Sequence, residues 1–199
     1  TRADVFDALQ RRETFGTSGS RMRIRFFGGD LPEDLGSKDD RIALAYERGV
    51  PMGSDLKTAN PPRFWVWATQ DPTGTPLDRI QIVKGWTENG EQRQRVWDVV
   101  CSGARQPNEL GQCPKTSASV DLSSCSRTGE EGARELEVTF SDPDFSAAQP
   151  AFYYARVLEN PTCRWTTMLA NSGGVELPND VPATVQERGW SSPIWSASR

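Results

Sequence analysis

Phe140-Ser-Asp-Pro-Asp-Phe-Ser-Ala-Ala-Gln-Pro-Ala-Phe-Tyr-Tyr-Ala-Arg-Val-Leu-Glu-Asn-Pro-Thr-Cys-Arg-Trp165 joins two strand signals across a polar connection. Along Phe152 to Leu158, the side chains of Phe152, Tyr154, Arg156 and Leu158 point one way and those of Tyr153, Ala155 and Val157 the other. Both sets are largely apolar, which predicts a central strand covered on each face. Arg156 is the exception, because an arginine there is rarely buried without a partner. Glu159 and Arg164 lie close by in sequence, as partners in an ion pair at the strand end or as contacts to a ligand.

Outward from this stretch, strand signals dominate. Met22, Ile24 and Phe26 alternate with Arg21, Arg23 and Arg25 and predict a half-buried strand with a solvated basic face, ending at Gly28-Gly29. Arg63 to Thr69 sets Phe64 and Val66 opposite Trp65 and Trp67. Arg79 to Trp86 and Gln92 to Cys101 flank Asn89-Gly90, a strong two-residue hairpin signal. A short strand is expected at Ser119–Leu122. From Ala133 to Phe140, Leu136, Val138 and Phe140 face inward, with Glu135, Glu137 and Thr139 outward. Two helices are expected. One runs from Ala3 to Arg12 behind a Thr1 cap, with Asp4 as an acidic capping box. The other contains Ile42, Leu44, Ala45 and Tyr46, capped by Asp39 or Asp40 and closed by a left-handed Gly49. Glu13 to Thr17 reads as a short strand before the Thr17-Ser18-Gly19-Ser20 turn. About seven strand signals against two helices give a mainly β (α+β) fold, an antiparallel sandwich-like domain from residue 21 to 199. Residues 1–20 read as borrowed from a different, βα architecture. Val185 to Trp195 is a dense polar and aromatic tail.

Composition narrows the function. The 199 residues carry 36% hydrophobic and 25% charged side chains, as a globular protein does. A net charge of −4 argues against a nucleic-acid partner. No run approaches the roughly 18 apolar residues of a membrane span. Histidine is absent, which removes Ser-His-Asp and Cys-His nucleophilic sites and most catalytic zinc sites. Cys101, Cys113, Cys125 and Cys163 lack C-x-x-C spacing and suit two disulfides in an oxidising compartment, periplasmic or secreted. Three pairings are open, and four reduced thiols are the alternative. The short loop favours Cys101–Cys113, leaving Cys125–Cys163. The chain opens Thr-Arg-Ala-Asp without Met and reads as a processed product or a piece of something longer.

Val5-Phe-Asp-Ala-Leu-Gln-Arg-Arg-Glu-Thr-Phe-Gly-Thr-Ser-Gly19 resembles the closing helix and strand of PHP-type barrels, and more specifically the DUF3604 family of PHP-like proteins. The resemblance continues through Arg25-Phe-Phe-Gly-Gly29, Gly49-Val-Pro-Met-Gly-Ser-Asp-Leu56 and Leu77-Asp-Arg-Ile-Gln-Ile-Val-Lys-Gly-Trp86. It is longest at Ala151 to Trp165 and ends with Gln186-Glu187-Arg188 and Ser192-Pro-Ile-Trp195. It implies a metal-dependent hydrolase, a phosphoesterase whose barrel holds zinc, manganese or iron and acts on a phosphorylated small molecule. The chain then corresponds to the C-terminal part, with the N-terminal PHP-like barrel of the same protein as its partner. No cofactor is expected in the segment itself, and it is expected to be inactive alone. Thr17 and Ser18 lie where a barrel's last strand would reach its loop end and can contact phosphate, or form an ordinary turn. Arg156, Glu159 and Arg164 can face an anionic substrate or an interface. Gln186 and Arg188 fit an interface better than chemistry. Asp142-Pro143-Asp144 reads as an Asx-turn rather than a calcium site. The alternative function is a non-catalytic β-sandwich module that binds carbohydrate or a protein partner; a purely structural domain is the third.

Overall fold

The computed structural model describes residues 1–37 and 40–197. The chain begins with α1 (Arg2–Gln10), β1 (Phe15–Thr17), β2 (Arg23–Gly29), α2 (Arg41–Arg48), β3 (Gly49–Pro51), β4 (Asp55–Lys57) and β5 (Arg63–Thr69). The middle holds β6 (Leu77–Glu88), β7 (Glu91–Cys101), β8 (Ser119–Asp121), β9 (Ser126–Thr128), β10 (Glu135–Ser141) and β11 (Ala151–Glu159). It ends with β12 (Thr162–Cys163), α3 (Trp165–Gly173), β13 (Thr184–Val185), β14 (Arg188–Ser191) and β15 (Ile194–Ala197).

Two sheets carry the fold. In the larger, β11 pairs antiparallel with β6 along one edge and with β15 and then β14 along the other. β7 continues the sheet beyond β6, while β1 extends it beyond β14. The single parallel pairing among these strands joins β15 to β4. The smaller sheet runs β10-β5-β2-β3 and is antiparallel throughout. Their inner faces meet in one core that includes Ile24, Phe26, Phe64, Val66, Ile80, Ile82, Tyr153, Ala155 and Val157. Phe64 and Tyr153 touch across the gap with ring centroids 4.4 Å apart. Each valine, isoleucine and phenylalanine buried there contributes about 1.5–3 kcal/mol. The mainly β, antiparallel expectation is thus met.

β5 occupies the residues expected, and the β6–β7 hairpin turns at Asn89 and Gly90, φ 52° and 80°, the conformation a type I′ turn requires. Other expectations need correction. Among the described residues there are three helices, not two, and fifteen strands, because short segments such as β3 and β4 pair at sheet edges, β8 pairs with β9 and β12 with β13, and the tail adds β14 and β15 to the large sheet. α1 spans Arg2–Gln10 rather than Ala3 to Arg12, and β1 starts at Phe15 rather than Glu13. The Thr1–Asp4 capping box does form. Asp40 is the N-cap of α2 without a side-chain capping bond; its carboxylate accepts from Ser37 Oγ instead, at 2.8 Å. Asp39 lies outside the described residues. Gly49 is extended, φ −144°, not left-handed. A glycine is needed there because a Cβ would meet Gly28 O at 2.9 Å where β3 joins β2.

The outer face of the small sheet is solvated at Arg23 and Arg25, as expected, but the part around Phe27 and Trp65 is not. α2 lies over it and encloses a second core of Phe27, Leu31, Leu35, Ala45 and Trp65. Glu137, expected to face outward, lies under this cover, accepting from Trp65 Nε1 at 2.8 Å and from the Arg41 guanidinium. The opposite error occurs on β11. Its Ala151, Tyr153, Ala155 and Val157 face is buried, but Phe152, Tyr154 and Arg156 are only half-buried. The central strand is therefore covered on one side, and the outer face of the large sheet stays open.

Gly28 sits where the two sheets approach, and an added Cβ would lie 2.8 Å from the Phe64 ring and 3.2 Å from Ile194 Cδ1. Both neighbours are fully buried and have nowhere to move. Gly28→Ala is expected to cost about 1–3 kcal/mol by overpacking, read from the urea midpoint at constant m.

Candidate functional site

The Thr17–Ser20 turn leaves β1 and meets two segments far away in the chain. Ser18 N donates to Arg188 O at 2.9 Å, continuing the β1–β14 pairing past its last strand residue. Ser18 Oγ accepts from Arg188 N at 2.9 Å and donates to the Glu187 carboxylate. Thr17 Oγ1 donates to Ser20 O at 2.6 Å and closes the turn. Ser20 Oγ accepts from Met22 N at 3.2 Å and donates to Glu159. Glu159 N in turn donates to Glu187 O at 2.9 Å. Thr17, Ser18, Glu159 and Arg188, picked out separately from three parts of the sequence, thus meet at one corner.

The corner is acidic. Glu159 is 2% exposed, and burial raises its pKa, with the Asp71 and Glu187 charges adding to the effect against the Ser20 and Thr75 hydroxyls. Asp71 goes the other way: the Thr73 and Arg21 backbone N–H groups and the Thr73 hydroxyl bring it down to about 2. The consequences for stability have opposite signs. Asp71 contributes stability at pH above its ordinary 3.8 that is lost as pH falls toward 2. Glu159 holds its proton longer in the folded than in the unfolded chain, so stability falls as pH rises from its ordinary 4.5 through the raised folded value. Glu159→Gln, which needs no ionisation, is expected to flatten that upper limb in urea titrations between pH 4 and 8. An unchanged limb would remove Glu159 as its source.

The other expected site residues have different roles. Arg156 does not meet Glu159 or Arg164. Its Nε donates to Gln81 Oε1 at 2.6 Å, and Gln81 Nε2 reaches Asp98 Oδ1 at 2.5 Å. Asp98 Oδ2 accepts from Cys113 N at 2.6 Å, tying this row to the first disulfide loop. Glu159 and Arg164 do not pair either, since Glu159 turns toward Ser20, while no described residue bonds to the Arg164 guanidinium at the start of α3. Gln186 Nε2 donates to Asp78 Oδ2 at 3.2 Å. Asp78 is fully buried and also accepts from Arg105 Nη2 at 2.6 Å, so Gln186 is a clamp on a buried carboxylate. Arg188 Nε donates to Gln186 O at 3.3 Å.

One polar centre was not anticipated. Lys84 Nζ donates to Asp142 Oδ2 at 2.6 Å, and Tyr153 Oη donates to the same oxygen at 2.7 Å. All three residues are buried, and burial beside Asp142 pushes the Tyr153 hydroxyl far above its ordinary range. Asp144 N donates to Asp142 Oδ1 at 2.8 Å, which is the expected Asx-turn. The signal available was Lys84 itself, the one charge between Ile80 and Trp86.

Both disulfides form as preferred, Cys101–Cys113 and Cys125–Cys163, and no cysteine is free. Among the described residues, no helix is long and apolar enough to cross a membrane, and no group of three or more Cys, Asp and Glu is placed to hold a metal ion.

No curated protein and no solved structure matches this chain. A family model does, the one described as "Protein of unknown function (DUF3604)", over residues 1–198. With nearly its whole length matched, from α1 through the Ser18–Glu187 corner to β15, the chain belongs to the DUF3604 family.

Proposed function

We propose that this chain is the accessory, substrate-shaping part of a PHP-like metal-dependent phosphoesterase, exported to the periplasm or beyond and inert when separated from its catalytic barrel. The observation that carries this reading is α1. No residue of that helix is buried, and Val5, Phe6 and Leu9 are 62%, 59% and 61% exposed along one stripe. Isolated helices this short are marginal in water, and their stability comes from packing an apolar face. A helix with a complete capping box and an apolar stripe lacks only a surface to cover that stripe. Phe15 on β1 is also 42% exposed, and β1 pairs with β14 on one side only. On this reading the cover is the barrel, and residues 1–20 are its closing helix and strand.

The metal would belong to the barrel, where zinc, manganese or iron lowers the pKa of bound water and polarises the phosphoryl oxygens. This chain's residues do not fit as its ligands: histidine is absent, and the carboxylates of the corner are spent on hydroxyl and backbone partners. What the chain has left to offer a phosphorylated substrate is the Arg164 guanidinium, because the Thr17, Ser18 and Ser20 hydroxyls already donate to Ser20 O, Glu187 and Glu159.

The test assays the 199-residue chain and the complete protein on p-nitrophenyl phosphate mono- and diesters with manganese or zinc. The chain alone is expected to be inert, and the complete protein to turn over substrate in a chelator-sensitive way. Metal-dependent turnover by the chain alone would overturn the reading, as would a complete protein inert on every ester tried.

A further inference from the structure

The open outer face of the large sheet holds a trough of about 830 Å³ beside the β6–β7 hairpin. Register places its side chains in rows. Trp195, Phe152, Gly85 and Gln94 form one row across four strands, with Thr87 and Gln92 next to it on one side and Tyr154, Val83 and Val96 on the other. The Phe152 ring lies across Gly85, so close that a Cβ there would overlap it. A glycine inside a long strand otherwise weakens it, and here it makes room for the ring. Phe152 is nearly parallel to Tyr154, with centroids 6.5 Å apart at 13°, and meets Trp195 at 5.3 Å. One wall is therefore a set of half-exposed ring faces.

The opposite wall carries the Gln92 and Gln94 amides and the Thr87 hydroxyl, all exposed and none bonded to a described residue. The charges around the trough are neutralised within the chain. Arg93 pairs with Glu91 at 2.6 Å and Lys84 with Asp142 at 2.6 Å. Ring faces on one side, unpaired amides on the other and no free charge suit a ligand with apolar C–H faces and neutral hydroxyl edges. The volume is that of a small-molecule site rather than a protein interface. An added peptide strand would take the open edge of β7, whereas the rings lie inward of that edge on β11 and β15, on the face of the sheet.

We infer that this trough binds a neutral oligosaccharide, the rings stacking on pyranose faces while Gln92, Gln94 and Thr87 bond its hydroxyls. This goes beyond the proposed function and does not depend on it, since a glycan site would tether or orient the protein whatever its barrel does. The test titrates the chain with hexaoses of β-1,4-glucose, β-1,4-xylose, β-1,4-mannose, β-1,4-N-acetylglucosamine and α-1,4-glucose, following tryptophan fluorescence and heat. At least one is expected to bind saturably, with affinity falling tenfold or more in Trp195→Ala and more modestly in Gln94→Ala. Trp195 is 44% exposed, so its loss leaves the fold intact, and unchanged thermal melting checks this. Absence of binding by every hexaose at millimolar concentration would overturn the inference, and so would binding that both variants retain. Protection of Trp195 from quenching in the complete protein would overturn it too, by placing a protein surface there.

Discussion

Lys84→Ala is expected to destabilise the chain by about 3–5 kcal/mol, enough to consume much of a domain's stability. The reason lies in what is left behind. Asp142 is 3% exposed and shares one oxygen between Lys84 and Tyr153. Without the ammonium, a carboxylate stays in the core with one hydroxyl and one backbone N–H against its desolvation. Replacing the pair together, Lys84→Met with Asp142→Leu, should cost less than Lys84→Ala alone, because no buried charge is stranded. Urea unfolding of the wild type, Lys84→Met, Asp142→Leu and the double variant gives the coupling directly. Lys84→Ala within 1 kcal/mol of wild type would mean that the ion pair is not buried as described.

The second large effect concerns Cys125–Cys163. It closes 38 residues, for which chain entropy alone gives a stabilisation of about 4 kcal/mol. Cys101–Cys113 closes 12 and gives about 3 kcal/mol. The longer bridge holds a part of the fold with few other ties. β8 and β9 pair only with each other, and their turn is held to α3 by Asn171 Nδ2 donating to Leu122 O at 2.7 Å. Cys125→Ser with Cys163→Ser is expected to lower the urea midpoint more than Cys101→Ser with Cys113→Ser, and to expose the 119–128 backbone to exchange first. Equal loss from the two pairs would contradict that ordering. Four thiols titrating in the denatured, unreduced chain would contradict both bridges.

The strands that read well from sequence are those whose pattern is local. β5 alternates aromatics over seven residues, and Asn89-Gly90 encodes its own turn, so both were legible. α3 was not. Its N-cap, Arg164, makes no capping bond, and Trp165, Met168 and Leu169 are exposed, so it lacks both a start signal and an inward stripe. The second-sheet cover was missed for a related reason: Glu137 looks solvated until α2 brings Arg41 onto it from 96 residues away. The corner at Ser18 divides the same way. Hydroxyl, carboxylate and arginine types were visible one segment at a time, but Ser18 and Glu187 stand 169 residues apart, and only the β1–β14 pairing joins them. Arg156 was rightly judged to need a partner, yet the partner is an amide on the neighbouring strand, Gln81, which no sequence spacing indicates.

The docking role assigned to α1 is open to one direct measurement, amide hydrogen exchange of residues 2–10 in this chain and in the complete protein. Val5, Phe6 and Leu9 are uncovered here, so the helix is expected to exchange near the unprotected rate in the chain alone, while β5 and β11 stay protected. In the complete protein, protection of α1 should rise to the level of its neighbours, because the stripe is then buried. Equal, rapid exchange of α1 in both proteins would contradict the account, since nothing would then be covering the helix.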